Sequence, residues 1–202
     1  MSALGLALAA AAAAAADAET IAATVCVACH GRDGNSAVPV FPNIAGLQEG
    51  YIIKQLREFM NGQRKSDVMA PIVAKLKPED LAPLAAHFSS QRPKPGVVHD
   101  ASLADEGRKF YADGNEVTGV PACVGCHQSG ASGYSIYPRL AGQHPEYLLR
   151  QLQNFASGDR SNDVGRYMRV IAKRMTEREM RAVAEYIGSL GADAPQTEAE
   201  TW

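Results

Sequence analysis

Every cysteine of this 202-residue chain lies in one of two short stretches, Cys26-Val27-Ala28-Cys29-His30 and Cys123-Val124-Gly125-Cys126-His127. Cys-x-x-Cys-His is the spacing of covalent haem c attachment. Two thiols three positions apart on one helical turn reach the two vinyl groups of one porphyrin and form thioethers. The adjacent imidazole is then held under the ring, where it ligates the iron. Cys26 and Cys29, and again Cys123 and Cys126, are therefore the expected anchors of two haems. His30 and His127 are the expected proximal ligands.

Other chemistry is open to the same residue types. An even cysteine count in an exported chain can form disulfides. A structural zinc site also pairs Cys-x-x-Cys motifs, but about 15–20 residues apart; here the offset is 97 residues and each motif ends in histidine. A thioredoxin-like redox pair occurs once, after a strand in a βαβ pattern, and no such pattern is legible. Covalent haem is the reading that uses all six residues.

The second iron ligand is found through an internal repeat. Phe41-Pro42-Asn43-Ile44-Ala45-Gly46 matches Tyr137-Pro138-Arg139-Leu140-Ala141-Gly142 at an offset of 96, as do Tyr51, Gln55, Phe59, Gly62 and Arg64 with Tyr147, Gln151, Phe155, Gly158 and Arg160. Three inserted residues then shift the offset to 99, which pairs Met69 with Met168, Leu76 with Met175 and Phe88 with Ile187. A thioether opposite histidine is the high-potential choice for an electron carrier. Met69 and Met168, recurring at matched places in loops before the last helix, are the expected ligands. Met60, Met175 and Met180 lie on or near helices and read as core filler. His87, His99 and His144 do not recur, so they are expected at the surface or beside haem propionates. Pro42 and Pro138 follow the two motif histidines by 12 and 11 residues, and their carbonyls are candidates for the second ring N–H. Tyr51, Gln55, Arg64, Tyr147, Gln151 and Arg160 are candidates to satisfy buried propionates, with helix surface and capping as the alternative.

The elements that must position these groups are helical throughout, with no strand signal. Each copy reads as helix, haem motif, loop, helix, methionine loop, helix. The first helix is weak in copy one (around Glu19 to Thr24) and clearer in copy two (Leu103 to Ala112), where Gly107 permits a close crossing against the last helix. The middle helices are expected near Gly50 to Asn61 and Pro145 to Ala156. The last helices run to Ser89 and to Ser189; the second opens on Thr176 as N-cap with Glu179 completing a capping box and is expected to stop at Gly191. The boundaries follow: 1–18 a cleaved signal peptide, 19–92 the first haem domain, 93–101 a proline-rich linker, 102–192 the second domain, and 193–202 an acidic tail without periodicity.

Lys and Arg number 20 against 22 Asp and Glu, a formal net charge of −2. With no basic run or aromatic-basic platform, nucleic-acid binding is not expected. Ala3 to Ala16 is an uninterrupted apolar run, shorter than the about 20 residues that span a bilayer. It fits a signal-peptide core with cleavage after Ala16 or Ala18, although no Lys or Arg precedes it. Export agrees with haem attachment, which takes place outside the bacterial cytoplasm.

Taken together, Cys-x-x-Cys-His followed by Gly31-Arg32-Asp33-Gly34-Asn35-Ser36, the run Gly119-Val120-Pro121-Ala122 before Cys123, Tyr137-Pro138-Arg139-Leu140-Ala141-Gly142-Gln143-His144, and Met168-Arg169-Val170-Ile171-Ala172-Lys173 resemble the dihaem cytochromes c of the c4 type, in the class I cytochrome c superfamily. The resemblance covers residues 19–191. It implies an all-α fold of two tandem class I cytochrome c domains, each a small helical bundle wrapped round a covalent haem, with two His/Met haems packed through their propionate sides. It further implies a periplasmic electron carrier, soluble or loosely membrane-associated. The implied acceptor is a terminal haem–copper oxidase; the implied donor is a cytochrome bc-type complex or a dehydrogenase.

With both irons six-coordinate, no position is open to substrate, so the expected role is one-electron exchange and not catalysis. The alternative is the dihaem subunit of a periplasmic dehydrogenase, such as a flavocytochrome oxidising sulfide. A dihaem peroxidase or thiosulfate-oxidising cytochrome would need a haem lacking methionine. The cations around Met168 (Arg166, Arg169, Lys173, Arg174, Arg178, Arg181) predict salt-dependent docking of an acidic partner at the second haem. Val68, Ala70, Pro71, Ile72 and Val73 predict a more apolar surface at the first.

Overall fold

A computed structural model describes residues 17–134 and 136–191. The expected signal-peptide core and the acidic tail lie outside the described residues. The helices are α1 (17–30), α2 (Glu49–Met60), α3 (Met69–Val73), α4 (Leu81–Ser89), α5 (Ala101–Asp113), α6 (Val124–His127), α7 (Pro145–Ser157), α8 (Tyr167–Ala172) and α9 (Glu177–Ser189). Among the described residues extended pairing is confined to two isolated bridges, Asn115 with Val120 and Tyr134 with Tyr137. The fold is all-α.

Two separate cores underlie the two halves. In the first, Ala18 and Ala22 of α1 pack with Ile52 of α2 and Leu84, Ala85 and Phe88 of α4. In the second, Phe110 and Tyr111 of α5 pack with Leu148 of α7 and Met180, Val183, Ala184 and Ile187 of α9. Met175 and Met180 are core side chains, as expected. Met60 is not: at the last position of α2 it is 37% exposed, because the helix ends there and turns its final residue to solvent.

Gly107 is what lets α5 and α9 cross. A Cβ there would overlap the backbone of Ala182 and Val183. At the start of α9 the Thr176 hydroxyl accepts from Glu179 N–H (3.2 Å) while the Glu179 carboxylate accepts from Thr176 N–H (2.7 Å), closing the capping box. The helix ends at Ser189, as expected, but Gly191 does not cap it: Leu190 already adopts an extended backbone (φ −78°, ψ 130°), so the helix closes without a left-handed cap.

The copies diverge most at their beginnings. α1 runs into the first motif without a break, with one π turn over Ala22–Cys26. α5 instead ends at Gly114 (φ +71°), and a loop closed by the Asn115–Val120 bridge precedes Cys123. The methionine segments also differ from expectation. Both are short helices, with Met69 opening α3 and Met168 second in α8. The Ser66 hydroxyl accepts from the Met69 N–H at 3.1 Å, a local bond that starts the turn.

Residues 91–99 are fastened to both halves. Asn35 accepts from Lys94 N–H (2.9 Å) and donates to Arg92 O (3.1 Å), and Lys94 pairs with Asp33 (2.7 Å). Further on, Gly96 N–H reaches Gly188 O (2.9 Å) and His99 N–H reaches the Glu185 carboxylate (2.9 Å).

Candidate functional site

Each Cys-x-x-Cys-His motif occupies one helical turn, which puts both cysteines and the histidine on a single rigid element. His30 and His127 are each only 8% exposed. Burial pushes both imidazoles toward the neutral form, outweighing the opposing effect of their backbone hydrogen bonds. The bonds are those to the anticipated prolines: His30 Nδ1 to Pro42 O at 2.8 Å and His127 Nδ1 to Pro138 O at 3.1 Å. A carbonyl can only accept, so Nδ1 carries the hydrogen. Nε2 is left with a bare lone pair, the state a metal requires.

The proline segment is itself held in place. In the first domain Ile44 and Ala45 N–H both bond Gly34 O (2.7 and 3.0 Å); in the second Leu140 and Ala141 N–H both bond Ala131 O (2.8 and 3.1 Å). Gly46 N–H then reaches Phe88 O (2.9 Å), and Gly142 N–H reaches Ile187 O (3.2 Å), tying each loop to the end of the last helix. The turn after each histidine needs positive φ, met by Gly31 (+73°) in one copy and by Gln128 (+66°) in the other.

No disulfide joins any of the four cysteines. Burial pushes the Cys26 and Cys123 thiols up to about 11. No group of three or more Cys, His, Asp and Glu donors is assembled for a metal ion among the described residues. Two cysteines and a neutral, oriented imidazole on one helical turn are the donor set that suits covalent haem. Met69 and Met168 are half-buried, on α3 packed against α2 and on α8 packed against α7.

A polar cluster joins the halves about a pseudo-two-fold axis. Arg64 donates to Gln55 of its own domain (2.6 Å) and to Tyr147 (2.9 Å) and Gln151 (3.1 Å) of the other. Arg160 mirrors it, donating to Gln151 (2.9 Å), Tyr51 (3.1 Å) and Gln55 (3.4 Å). The residues expected at propionates or on helix surface thus bridge the domains. Burial alone would raise the Tyr51 phenol, but the Arg160 and Arg64 guanidiniums outweigh it and hold it below its ordinary value. The nearest carboxylate, Glu58, is already bound by Lys54 (2.6 Å) and Asn162 (2.6 Å). Two guanidiniums without a carboxylate partner leave positive charge that haem propionates would neutralise.

A second belt was not anticipated. Asn43 N–H donates to Gln143 Oε1 and Gln143 Nε2 donates to Asn43 O, both at 2.8 Å; Asn43 Nδ2 adds a bond to Gly142 O at 2.6 Å. Gln48 bonds Tyr137 O (3.1 Å) and Arg139 N–H (3.0 Å). His144, expected at the surface or beside a propionate, is buried in this belt with Nε2 3.0 Å from Ser36 O. It stands where copy one has Gln48, and the signal was available: an amide and an imidazole at matched places beside the proline loops.

These features agree with the comparisons. The family model for cytochrome c matches residues 15–91 and 104–191. A cytochrome c4 of Thiocapsa roseopersicina is 41% identical over 175 residues, covering 85% of this chain and 90% of the relative. The thiosulfate dehydrogenase electron acceptor of Thiomonas intermedia is 35% identical, covering 83% and 79%. Reduced recombinant cytochrome c4 from Pseudomonas stutzeri superposes with a TM-score of 0.82 at 37% identity, covering 87% of this chain and 98% of that one. Two tandem domains, each with its own haem c attachment motif, place the chain in the dihaem cytochrome c4 family of electron-transfer proteins.

Proposed function

We propose that the chain is a periplasmic one-electron carrier that takes electrons from a quinol-oxidising cytochrome bc-type complex or a dehydrogenase and passes them to a terminal haem–copper oxidase. Cys26 and Cys29 anchor one haem and Cys123 and Cys126 the other. His30 and Met69 would ligate one iron, and His127 and Met168 the other. The observation that carries this reading is the repetition of one construction: a buried histidine with Nδ1 fixed on a proline carbonyl, and a methionine at the matched place downstream.

When bound, each haem supplies exchange of a single electron between ferric and ferrous iron. The chain's own residues do the rest. The Pro42 and Pro138 carbonyls keep each imidazole in one tautomer and orientation, so little reorganises when charge changes. Met69 and Met168 would each supply a sulfur ligand, which favours the reduced state and would leave no position for substrate. Arg64 and Arg160 would supply positive charge to haem propionates at the domain interface, and the bonds they make across it hold the two domains together.

A dehydrogenase as donor is favoured by the likeness to an electron acceptor of thiosulfate dehydrogenase. No helix among the described residues is long and apolar enough to cross a membrane.

Absorption and magnetic-circular-dichroism spectra of the purified protein test the reading. Two haems per chain are expected, with the weak near-infrared band of methionine–iron ligation. Met69→Ala and Met168→Ala should each remove half of that band and open one haem to carbon monoxide. An unmutated protein whose reduced form binds carbon monoxide would overturn it.

A further inference from the structure

Exposed aromatic groups gather on one side of the second haem motif. Tyr134 and Tyr167 are 51% and 56% exposed, and Ile136, Val164 and Val170 lie open beside them. Tyr137 ties the patch to the motif. Its hydroxyl lies against Cys126 and within electrostatic reach of Tyr134 and Tyr167. Its ring centroid is 6.3 Å from that of His127 and 5.6 Å from that of Tyr134. A chain of rings therefore runs from a buried imidazole to the surface, past Cys126, which is itself exposed. In the first domain the repeat puts Val38, Phe41 and Val68 at the places of Tyr134, Tyr137 and Tyr167.

The surrounding charge is sharper than the sequence indicates. Arg169 is paired with Asp163 (2.6 Å), Arg178 with Glu106 (2.7 Å) and Arg181 with Glu177 (3.0 Å). Arg174 is held by Gly119 O (2.8 Å). Arg166 and Lys173, exposed at the two ends of α8, and Arg174 beside them, whose bond to a neutral carbonyl leaves its charge in place, remain outside every ion pair among the described residues. Ala70 and Ala74 stand at the places of Arg169 and Lys173 in copy one. An apolar centre rimmed by unpaired cations matches a protein surface with an apolar centre and an acidic rim. Three such cations fall short of the four to eight that hold a protein on anionic lipid.

We propose that the tyrosine-lined face around Cys126 docks a one-electron protein partner with an acidic rim, and that Tyr137 couples that partner to the His127 site. This rests on the carrier reading. The partner meets the second domain, and the first domain, with Val38 and Val68 in place of the tyrosines, is not its entry.

Stopped-flow oxidation of the fully reduced dihaem protein by oxidised plant plastocyanin, an acidic copper protein serving as probe, tests the proposal. The second-order rate should fall about tenfold as salt rises from low to physiological strength. Arg166→Glu with Lys173→Glu should abolish that dependence. Tyr137→Leu should keep it but lower the saturating rate several-fold, and Tyr137→Phe, the residue copy one carries, should restore most of the loss. Haem content and reduction potentials of each variant show that its sites are intact. Unchanged salt dependence in the charge-reversed protein, or an unchanged saturating rate in Tyr137→Leu, overturns the proposal. So does tyrosine-dependent binding to anionic vesicles with no response to plastocyanin. Hexacyanoferrate(III) separates the two readings: two electrons delivered to it per chain leave the carrier reading standing whatever plastocyanin does, and fewer would remove both.

Discussion

Arg64 of the first domain and Tyr147 of the second are joined by a 2.9 Å hydrogen bond whose mirror image joins Arg160 to Tyr51 at 3.1 Å. The pair is the work of duplication. One sequence motif, Tyr, then Gln four residues on, then Arg nine beyond that, becomes self-complementary when two copies face each other. Each guanidinium bonds one glutamine of its own domain and reaches the tyrosine of the other, as in an isologous dimer fused into one chain.

Removing either cation should weaken the interface and lower the haem potentials together. Arg64→Met leaves Tyr147 without its charged donor, while Gln151 keeps its bond from Arg160, at a cost of about 1.5–3 kcal/mol. It also withdraws a positive charge from the propionate edges, which makes adding an electron less favourable. Chemical denaturation combined with potentiometric titration checks this. Potentials that stay put in both Arg64→Met and Arg160→Met would remove the arginines from the haem environment.

Gly107→Ala should destabilise the second domain alone. The new Cβ meets backbone at Ala182 and Val183, which cannot swing aside as a side chain would. The overpacking costs about 1–3 kcal/mol and outweighs the helix propensity gained, about 1 kcal/mol. Thermal unfolding read separately at each haem should show the second transition moving down and the first unchanged.

The α9 capping box carries a pH signature. Burial alone would raise the Glu179 carboxyl, but bonds from Thr176 N–H, Asn115 and the Thr176 hydroxyl outweigh it and hold it below its ordinary value. A carboxyl lowered in the folded state contributes stability above its unfolded value of 4.5, lost as pH falls through the folded value. Glu179→Gln should therefore cost about 1 kcal/mol near neutrality and show a shallower acid decline than the parent. Parallel stability curves for the two proteins would refute the assignment.

The haem motifs, the helical class and the proline carbonyls were legible because each is local: a fixed spacing, a 3.6-residue period, a loop of set length. The capping box was legible for the same reason. What the sequence could not reveal was relational. Met60 lies on the apolar period of its helix, yet the helix ends there, and termination depends on the following turn. His144 shows no partner within its own domain because its partner, Ser36 O, lies in the other. The arginines around Met168 read as one basic field, although Asp163, Glu106 and Glu177 neutralise three of them; ion pairs across a fold leave no mark in a charge count. The exposed tyrosines were overlooked because each alone is an ordinary surface residue, and only folding brings Tyr134, Tyr137 and Tyr167 onto one face.

The first core also bears on where export machinery cuts. Ala16 and Ala18 both present a small residue at a signal-peptide boundary, so sequence alone leaves two sites open. Ala18 is 2% exposed and packs with Ala22, Ile52, Leu84, Ala85 and Phe88. A protein beginning at Glu19 would lose that methyl, about 1 kcal/mol of burial, and two residues of α1 with it. One beginning at Asp17 keeps both. Asp17 and Glu19 then stand in the first turn, where carboxylates are favoured by the helix dipole and offset the new α-amino charge. The expected mature protein therefore starts at Asp17. Intact mass of the exported protein, after subtracting two haems, decides it: a chain starting at Glu19 would mean that the packing of Ala18 is dispensable, and one retaining residues 1–16 would mean that the segment is not a cleaved signal at all.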